Sequence, residues 1–209
     1  MTSSEESLIQ LIGQSFLALS GWEVIATMLG IAYVILAARE SIWCWPAAFT
    51  STLIYTILFW EGQLPMQALL NVYYMAMAVY GWTLWRKHGA SQEILAVSTR
   101  PVQFHLWFIS SGIVLSLITA YYLEQVIGSR LPYLDAFVTV FSVMNTVLMA
   151  RKVLENWLYW LVINSAAIAL YWQTGYYVTI VMFSMYLVLA VIGYISWKSS
   201  LQNSEKPTT

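Results

Sequence analysis

Three sets of polar side chains recur at helical spacing inside otherwise apolar stretches of the chain. Gln67, Asn71 and Tyr74 follow i, i+4, i+7 and make one stripe. Asn156, Trp160 and Asn164 follow i, i+4, i+8, with Trp157 one step around the same helix. Asp135, Thr139, Ser142 and Asn145 form a looser third set. The chemistry such groups can do is recognition. Amides read hydroxyls and ring heteroatoms, and aromatic faces attract cations through the ring quadrupole. A phosphorylated ligand would call for Arg or Lys in the site, and no basic residue falls at mid-span. The pattern therefore favours a flat, cationic, unphosphorylated solute. Each amide taken singly also reads as a hydrogen-bonded fastener between helices.

Bond-making chemistry finds no support. His88 and His105 stand apart from any second cluster of ligand-type residues, no nucleophile sits beside a base, and no glycine-rich phosphate loop occurs. The lone Cys44 excludes an internal disulfide and a cysteine-based metal site, and it reads as a small core residue. Neither enzyme activity nor a cofactor is expected. A net charge of −1 with no basic stripe gives nucleic-acid binding no basis.

The elements that would hold these residues are membrane helices. The chain is 60% hydrophobic and only 9% charged, against roughly 25% charged in soluble domains. Hydropathy and punctuation predict seven spans, at 22–38, 43–60, 64–85, 102–123, 133–150, 156–172 and 176–197. Trp22, Trp43, Trp60, Trp85, Trp172 and Trp197 stand at span ends, where indoles serve as interfacial anchors. Leu8–Ser20 is too short and polar to span and predicts an interfacial helix, and Glu5 and Glu6 argue against a signal peptide.

Arg39, Arg86, Lys87, Arg100, Arg151, Lys152, Lys198 and Lys206 fall on one side of this topology and only Arg130 on the other. That asymmetry predicts an external (periplasmic) N-terminus and a cytoplasmic C-terminus. Sliding the chain by 112 residues pairs Arg39 with Arg151, Trp45 with Trp157, Trp60 with Trp172, Tyr74 with Tyr186, Gly81 with Gly193 and Trp85 with Trp197. Two three-helix units with one extra crossing between them keep the same orientation, so the expected fold is an all-α membrane bundle of two parallel repeats, 3+1+3. The expected divisions are 1–21 (interfacial segment), 22–87 (first repeat), 88–132 (connector and linker helix), 133–198 (second repeat) and 199–209 (cytoplasmic tail). Asn71 matches Phe183 under the shift, so the binding face is asymmetric. Trp45 and Asp135 are candidate gate or vestibule positions; for Asp135, near the outer end of its span, a solvated interfacial carboxylate is an equal reading. Gly81 and Gly193 read as close-packing positions, and Pro46 as a helix-start proline or a hinge.

The run from Ala150 to Trp160 (Arg-Lys-Val-Leu-Glu-Asn-Trp-Leu-Tyr-Trp after the alanine), followed by Asn164, resembles the signature of the PnuC family of vitamin transporters. Tyr80-Gly81-Trp82 and Tyr133-Leu134-Asp135 fit the same family, and the similarity covers roughly residues 20–198. The resemblance implies a SWEET-like 3+1+3 bundle, a homotrimer among the lipids of a bacterial inner membrane, and facilitated uptake of nicotinamide riboside trapped by a cytoplasmic kinase. It also implies that Asn156, Trp157, Trp160 and Asn164 line the site, with Asn71 where members carrying that vitamin often have Gln. The second span departs from those members: it reads Trp43-Cys44-Trp45-Pro46, with Ser51 and Thr52. Thiamine carriers share the fold, so thiamine stays open as cargo, and a sugar carrier is a further reading.

Overall fold

The computed structural model describes residue 13 and residues 20–90 and 95–204, without the side chains of 87–90. Apart from residues 13 and 20, the interfacial helix expected over Leu8–Ser20 lies outside the described residues, as do part of the connector and the end of the tail. The described residues form seven α-helices: α1 Gly21–Ala38, α2 Cys44–Glu61, α3 Pro65–Ala90, α4 Val102–Tyr122 with a π turn at Leu123–Ile127, α5 Pro132–Ala150, α6 Asn156–Thr174 and α7 Tyr177–Ser204. Each matches an expected span to within a few residues, except that α3 and α7 run several residues further at their C-terminal ends.

Local chemistry sets the boundaries. Ser20 caps α1 in a capping box, its hydroxyl accepting from the Glu23 N–H while the Glu23 carboxylate accepts from the Ser20 N–H. Pro132 opens α5, where its missing N–H costs no helical bond. Gly175 closes α6 at φ 81°, a conformation that suits glycine. Helices α1 and α5 end alike, at Arg39 and Arg151, each with φ −89° and ψ 8°. The next residues, Glu40 and Lys152, adopt φ 55° and 50°, a left-handed backbone uncommon for side chains of this kind.

Helices α1, α2, α3, α5, α6 and α7 pack in that order into a ring, closed by α7 against α1, while α4 lies outside against α5. From α4, His105 and Phe108 reach Tyr159 of α6. The outer surface is apolar: Leu106, Trp107, Ile118, Val188 and Ile195 are all more than half exposed. An apolar exterior on this scale belongs in lipid. Helices α1, α5, α7 and the α4 segment are each long and apolar enough to cross a membrane.

Trp22, Trp43, Trp60 and Trp172 are exposed at helix ends, as interfacial anchors should be. Trp85 and Trp197 are not, and the expectation for these two is corrected. Both are buried, and their indole N–H groups donate to carbonyls near the C-terminus of the neighbouring helix, Trp85 to Ala150 and Trp197 to Ala37, each at 2.9 Å. Late-helix carbonyls lack intrahelical partners, which is why an indole finds one there. Trp197→Phe keeps the ring and removes the donor. It is expected to cost about 1 kcal/mol, read as a lowered unfolding midpoint in detergent.

Candidate functional site

The ring encloses a cavity of about 260 Å³, and all six ring helices line it while α4 does not. One water occupies ~30 Å³ of liquid, so this space suits an organic solute. Seven aromatic rings face it: Tyr33 from α1, Trp45 from α2, Tyr74 from α3, Trp157 and Trp160 from α6, and Phe183 and Tyr186 from α7. Among the described residues, no Asp, Glu, Lys, Arg or His is in the lining.

Three of the hydroxyls in the wall have a defined polarity. Ser51 donates to the Ala26 carbonyl at 2.7 Å, Thr52 to Ala48 at 2.8 Å, and Thr146 to Ser142 at 2.8 Å. Their protons are committed to backbone, so they offer the cavity lone pairs only. Asn164 differs. It is 3% exposed, and its amide has no protein partner among the described residues. A buried amide is costly without partners, and this one has two donors and an acceptor oxygen available to a solute. The wall is thus rich in acceptors and aromatic faces, which suits a ligand bearing hydroxyl or amide donors and a flat ring.

The cavity brings together Tyr74, Trp157, Trp160 and Asn164, and Trp45 with them. The other expected residues stand apart from its lining. Gln67 is exposed, and Asn71 spends one amide proton on the Gln67 carbonyl, 2.9 Å away on its own helix. Asn156 is buried in the α5–α6 turn: its amide donates to the Val153 carbonyl, and its own carbonyl accepts from Asn145. Asp135 is in the first turn of α5 beside Thr139. Several lining residues fall 112 positions apart: Gly30 and Ser142, Trp45 and Trp157, Thr52 and Asn164, Tyr74 and Tyr186, Ala78 and Ala190. Tyr186 shows the use of that register. Its hydroxyl lies where a Cβ on Gly30 would come within 3.1 Å, while Tyr74 faces Ser142.

Trp45 and Trp157 form the floor of the cavity at the end that carries most of the basic residues. Trp85 meets Trp45 edge-on at 5.3 Å and 86°, and Trp197 meets Trp157 at 5.4 Å and 86°. Trp85 and Trp197 meet each other at 6.4 Å, completing a chain of four indoles across the ring. Beneath it, Lys152 is 3% exposed and donates to Glu40 at 2.6 Å, with its ammonium 4.6 Å from the centre of a Trp85 ring. Sequence reasoning counted Lys152 only as a topology charge. The signal was present: positions 40 and 152 are themselves 112 apart and carry opposite charges.

Residues 20–199 match the family model described as nicotinamide mononucleotide transporter. The chain is 25% identical to the nicotinamide riboside transporter PnuC of Escherichia coli K12, over 90% of each chain. It is 28% identical to the protein of the same name from Neisseria mucosa, over 83% of this chain and 70% of that one. It is 24% identical to the riboflavin/roseoflavin transporter RibM of Streptomyces davaonensis, over 88% of each. The fold is similar to the crystal structure of the vitamin B3 transporter PnuC, with TM-score 0.72 and 25% identity over 97% of this chain and 94% of that one.

Proposed function

The chain belongs to the nicotinamide mononucleotide transporter family, and on that premise we propose that it takes up nicotinamide riboside across a bacterial inner membrane. The protein is a multi-pass membrane transporter and not an enzyme. Transport is by facilitated diffusion, since the sequence has no ATP-binding motif and no charged residue among those described lines the cavity. A cytoplasmic kinase that phosphorylates the vitamin makes uptake directional. The basic residues put the C-terminus in the cytoplasm. The six ring helices are two parallel three-helix repeats, 22–87 and 133–198, with 88–132 supplying the connector and linker helix α4. Three such chains assemble in the membrane. Matching helix ends at Arg39 and Arg151 and the ring order support the repeat reading.

One observation carries the cargo assignment: a charge-free cavity of aromatic faces and oxygen acceptors, with Asn164 as its free amide. A pyridinium ring is a flat cation suited to indole and phenol faces. A ribose supplies hydroxyl donors for acceptors whose own protons are committed elsewhere. The family description names the mononucleotide, but a phosphate dianion would meet no basic partner in this wall. Riboflavin is the second reading, favoured by the Streptomyces relative that carries it. Thiamine and sugar have no counterpart among the relatives described above. Asn71 and Asn156 serve local backbone carbonyls, Gln67 stays at the exposed start of α3, and Asp135 acts as a vestibule charge.

Calorimetric titration of the purified protein decides among these. Nicotinamide riboside is expected to bind at least ~100-fold more tightly than its 5′-phosphate, because burying an unpaired charge costs more than the ~2.7 kcal/mol which that ratio represents. Equal affinity for the two would overturn the nucleoside reading. Tight binding of riboflavin alone would reassign the cargo and leave the path unchanged.

A further inference from the structure

We propose that Glu40 and Lys152 form the latch of the cytoplasmic gate, an ion pair that closes the floor of the cavity and separates in each transport cycle. The inference rests on the transport reading for its cargo and its sidedness, and on the geometry for everything else.

The pair joins two bodies. Glu40 follows α1 and Lys152 follows α5, so the bond spans the interface between the two halves of the ring rather than bracing either one. Each residue holds a left-handed backbone, at φ 55° and 50°, which a non-glycine residue keeps only where its surroundings over-determine it. The bond orients the turns that carry it, and its loss would release both. Lys152 is also tied to the floor, because its ammonium lies over Trp85 and Trp85 abuts Trp45 in the cavity wall. Moving Glu40 away therefore removes the partner that fixes the cation under the indole chain, and the chain can part.

A buried ion pair suits this task. Against a well-packed apolar pair it adds little net stability, but it fixes register, and opening it is favourable only once water reaches both charges. Lys152 has a side-chain exposure of 4% and Glu40 of 21%, so water already touches the acidic member. The turns are also held unequally. Ser98 of the connector pairs with the Lys152 turn, donating its N–H to the Lys152 carbonyl at 3.0 Å and accepting from the Leu154 N–H at 2.8 Å. The backbone N–H groups of the Glu40 turn bond only within residues 35–44 among the described residues. Glu40 is the member that swings, and Lys152 is the fixed post.

The test uses the full chain in proteoliposomes. Calorimetry on the wild type is read first; if it binds riboflavin rather than nicotinamide riboside, the cargo reading falls and the same assay proceeds with riboflavin. In a Cys44→Ser/Glu40→Cys/Lys152→Cys variant, a short bis-methanethiosulfonate reagent, which spans the gap left by the two long side chains, should link residues 40 and 152 through two reducible disulfides, identified by mass spectrometry. Vitamin uptake is expected to fall at least tenfold and to return on reduction, with affinity changed less than threefold. Uptake by the bridged protein as fast as after its reduction would overturn the latch. A second readout needs no substitution. Acylation of Lys152 in the wild type by a water-soluble active ester should be slow at rest and rise several-fold when the vitamin is supplied for transport. A rate equal to that of an exposed lysine at rest, or one unchanged by the vitamin, would overturn it equally.

Discussion

Asn164→Leu is expected to weaken nicotinamide riboside binding by about two orders of magnitude while leaving the folded protein intact. The two side chains share branching and heavy-atom count, and the cavity that Asn164 lines gives the bulkier methyls room, so packing against α5 and α7 changes little. What changes is hydrogen bonding. Asn164 is the buried amide of the cavity with no protein partner, so a bound solute supplies its partners. Substitution removes those bonds and leaves the matching groups of the ligand buried and unpaired. The cost is about 1–3 kcal/mol for each such group, and two groups account for a hundredfold loss. Removing the amide from an unliganded protein relieves a buried polar group, so thermal stability should hold or rise. Affinity and stability therefore move in opposite senses, a signature that a residue fastening two helices would not give. Unchanged affinity by calorimetry, or a parallel loss of stability, would take Asn164 out of the site. Thr52, its counterpart 112 residues earlier, is a useful control. Its hydroxyl proton is committed to Ala48, so Thr52→Val removes one acceptor and should cost only a small factor.

That difference between Asn164 and Asn156 marks how far the sequence could be read. Helical spacing put Asn156, Trp160 and Asn164 on one stripe, and the expected span was right. But Asn156 is the first residue of α6, and helix ends leave backbone groups without intrahelical partners. Its amide is drawn into the turn, donating to Val153. Periodicity reports which face a residue is on, not how deep it lies or which local group competes for its side chain. Asn71 has the same history, with its own helix supplying the partner. Span positions were legible because hydrocarbon length and backbone satisfaction constrain every residue of a span. Trp85 and Trp197 were misplaced for a related reason. An indole at a span end suits the membrane interface, and only the neighbouring helix decides whether a carbonyl is within reach instead. The Glu40–Lys152 pair escaped notice because Lys152 was read as a topology charge and Glu40 was not weighed, although the repeat register aligns them.

The glycines show the register at its tightest and carry the second large effect. A Cβ built on Gly193 would lie 2.6 Å from two atoms of the Trp157 ring, and one on Gly81 would enter the ring of Trp45. Neither indole can retreat freely. Both are almost fully buried, and each is held edge-on by the next member of the four-indole chain. Gly193→Ala is therefore expected to destabilise the protein by about 1–3 kcal/mol, the usual cost of overpacking a filled core. Gly193→Leu should yield no folded protein, since native stability is only about 5–15 kcal/mol and the added groups overlap the ring outright. Shrinking the ring tests the cause. Trp157→Phe alone opens space and weakens the floor of the cavity, yet it makes room for the new methyl. The double variant Gly193→Ala/Trp157→Phe should be less destabilised than the sum of its parts by about 1 kcal/mol or more, the scale of coupling between residues in contact. Additive losses in detergent unfolding would mean that Gly193 and Trp157 do not touch in solution. With non-additive losses, the close approach that lets α7 carry Tyr186 into the cavity depends on the absence of one side chain. The same dependence is then expected at Gly81, where α3 brings Tyr74 to the opposite wall.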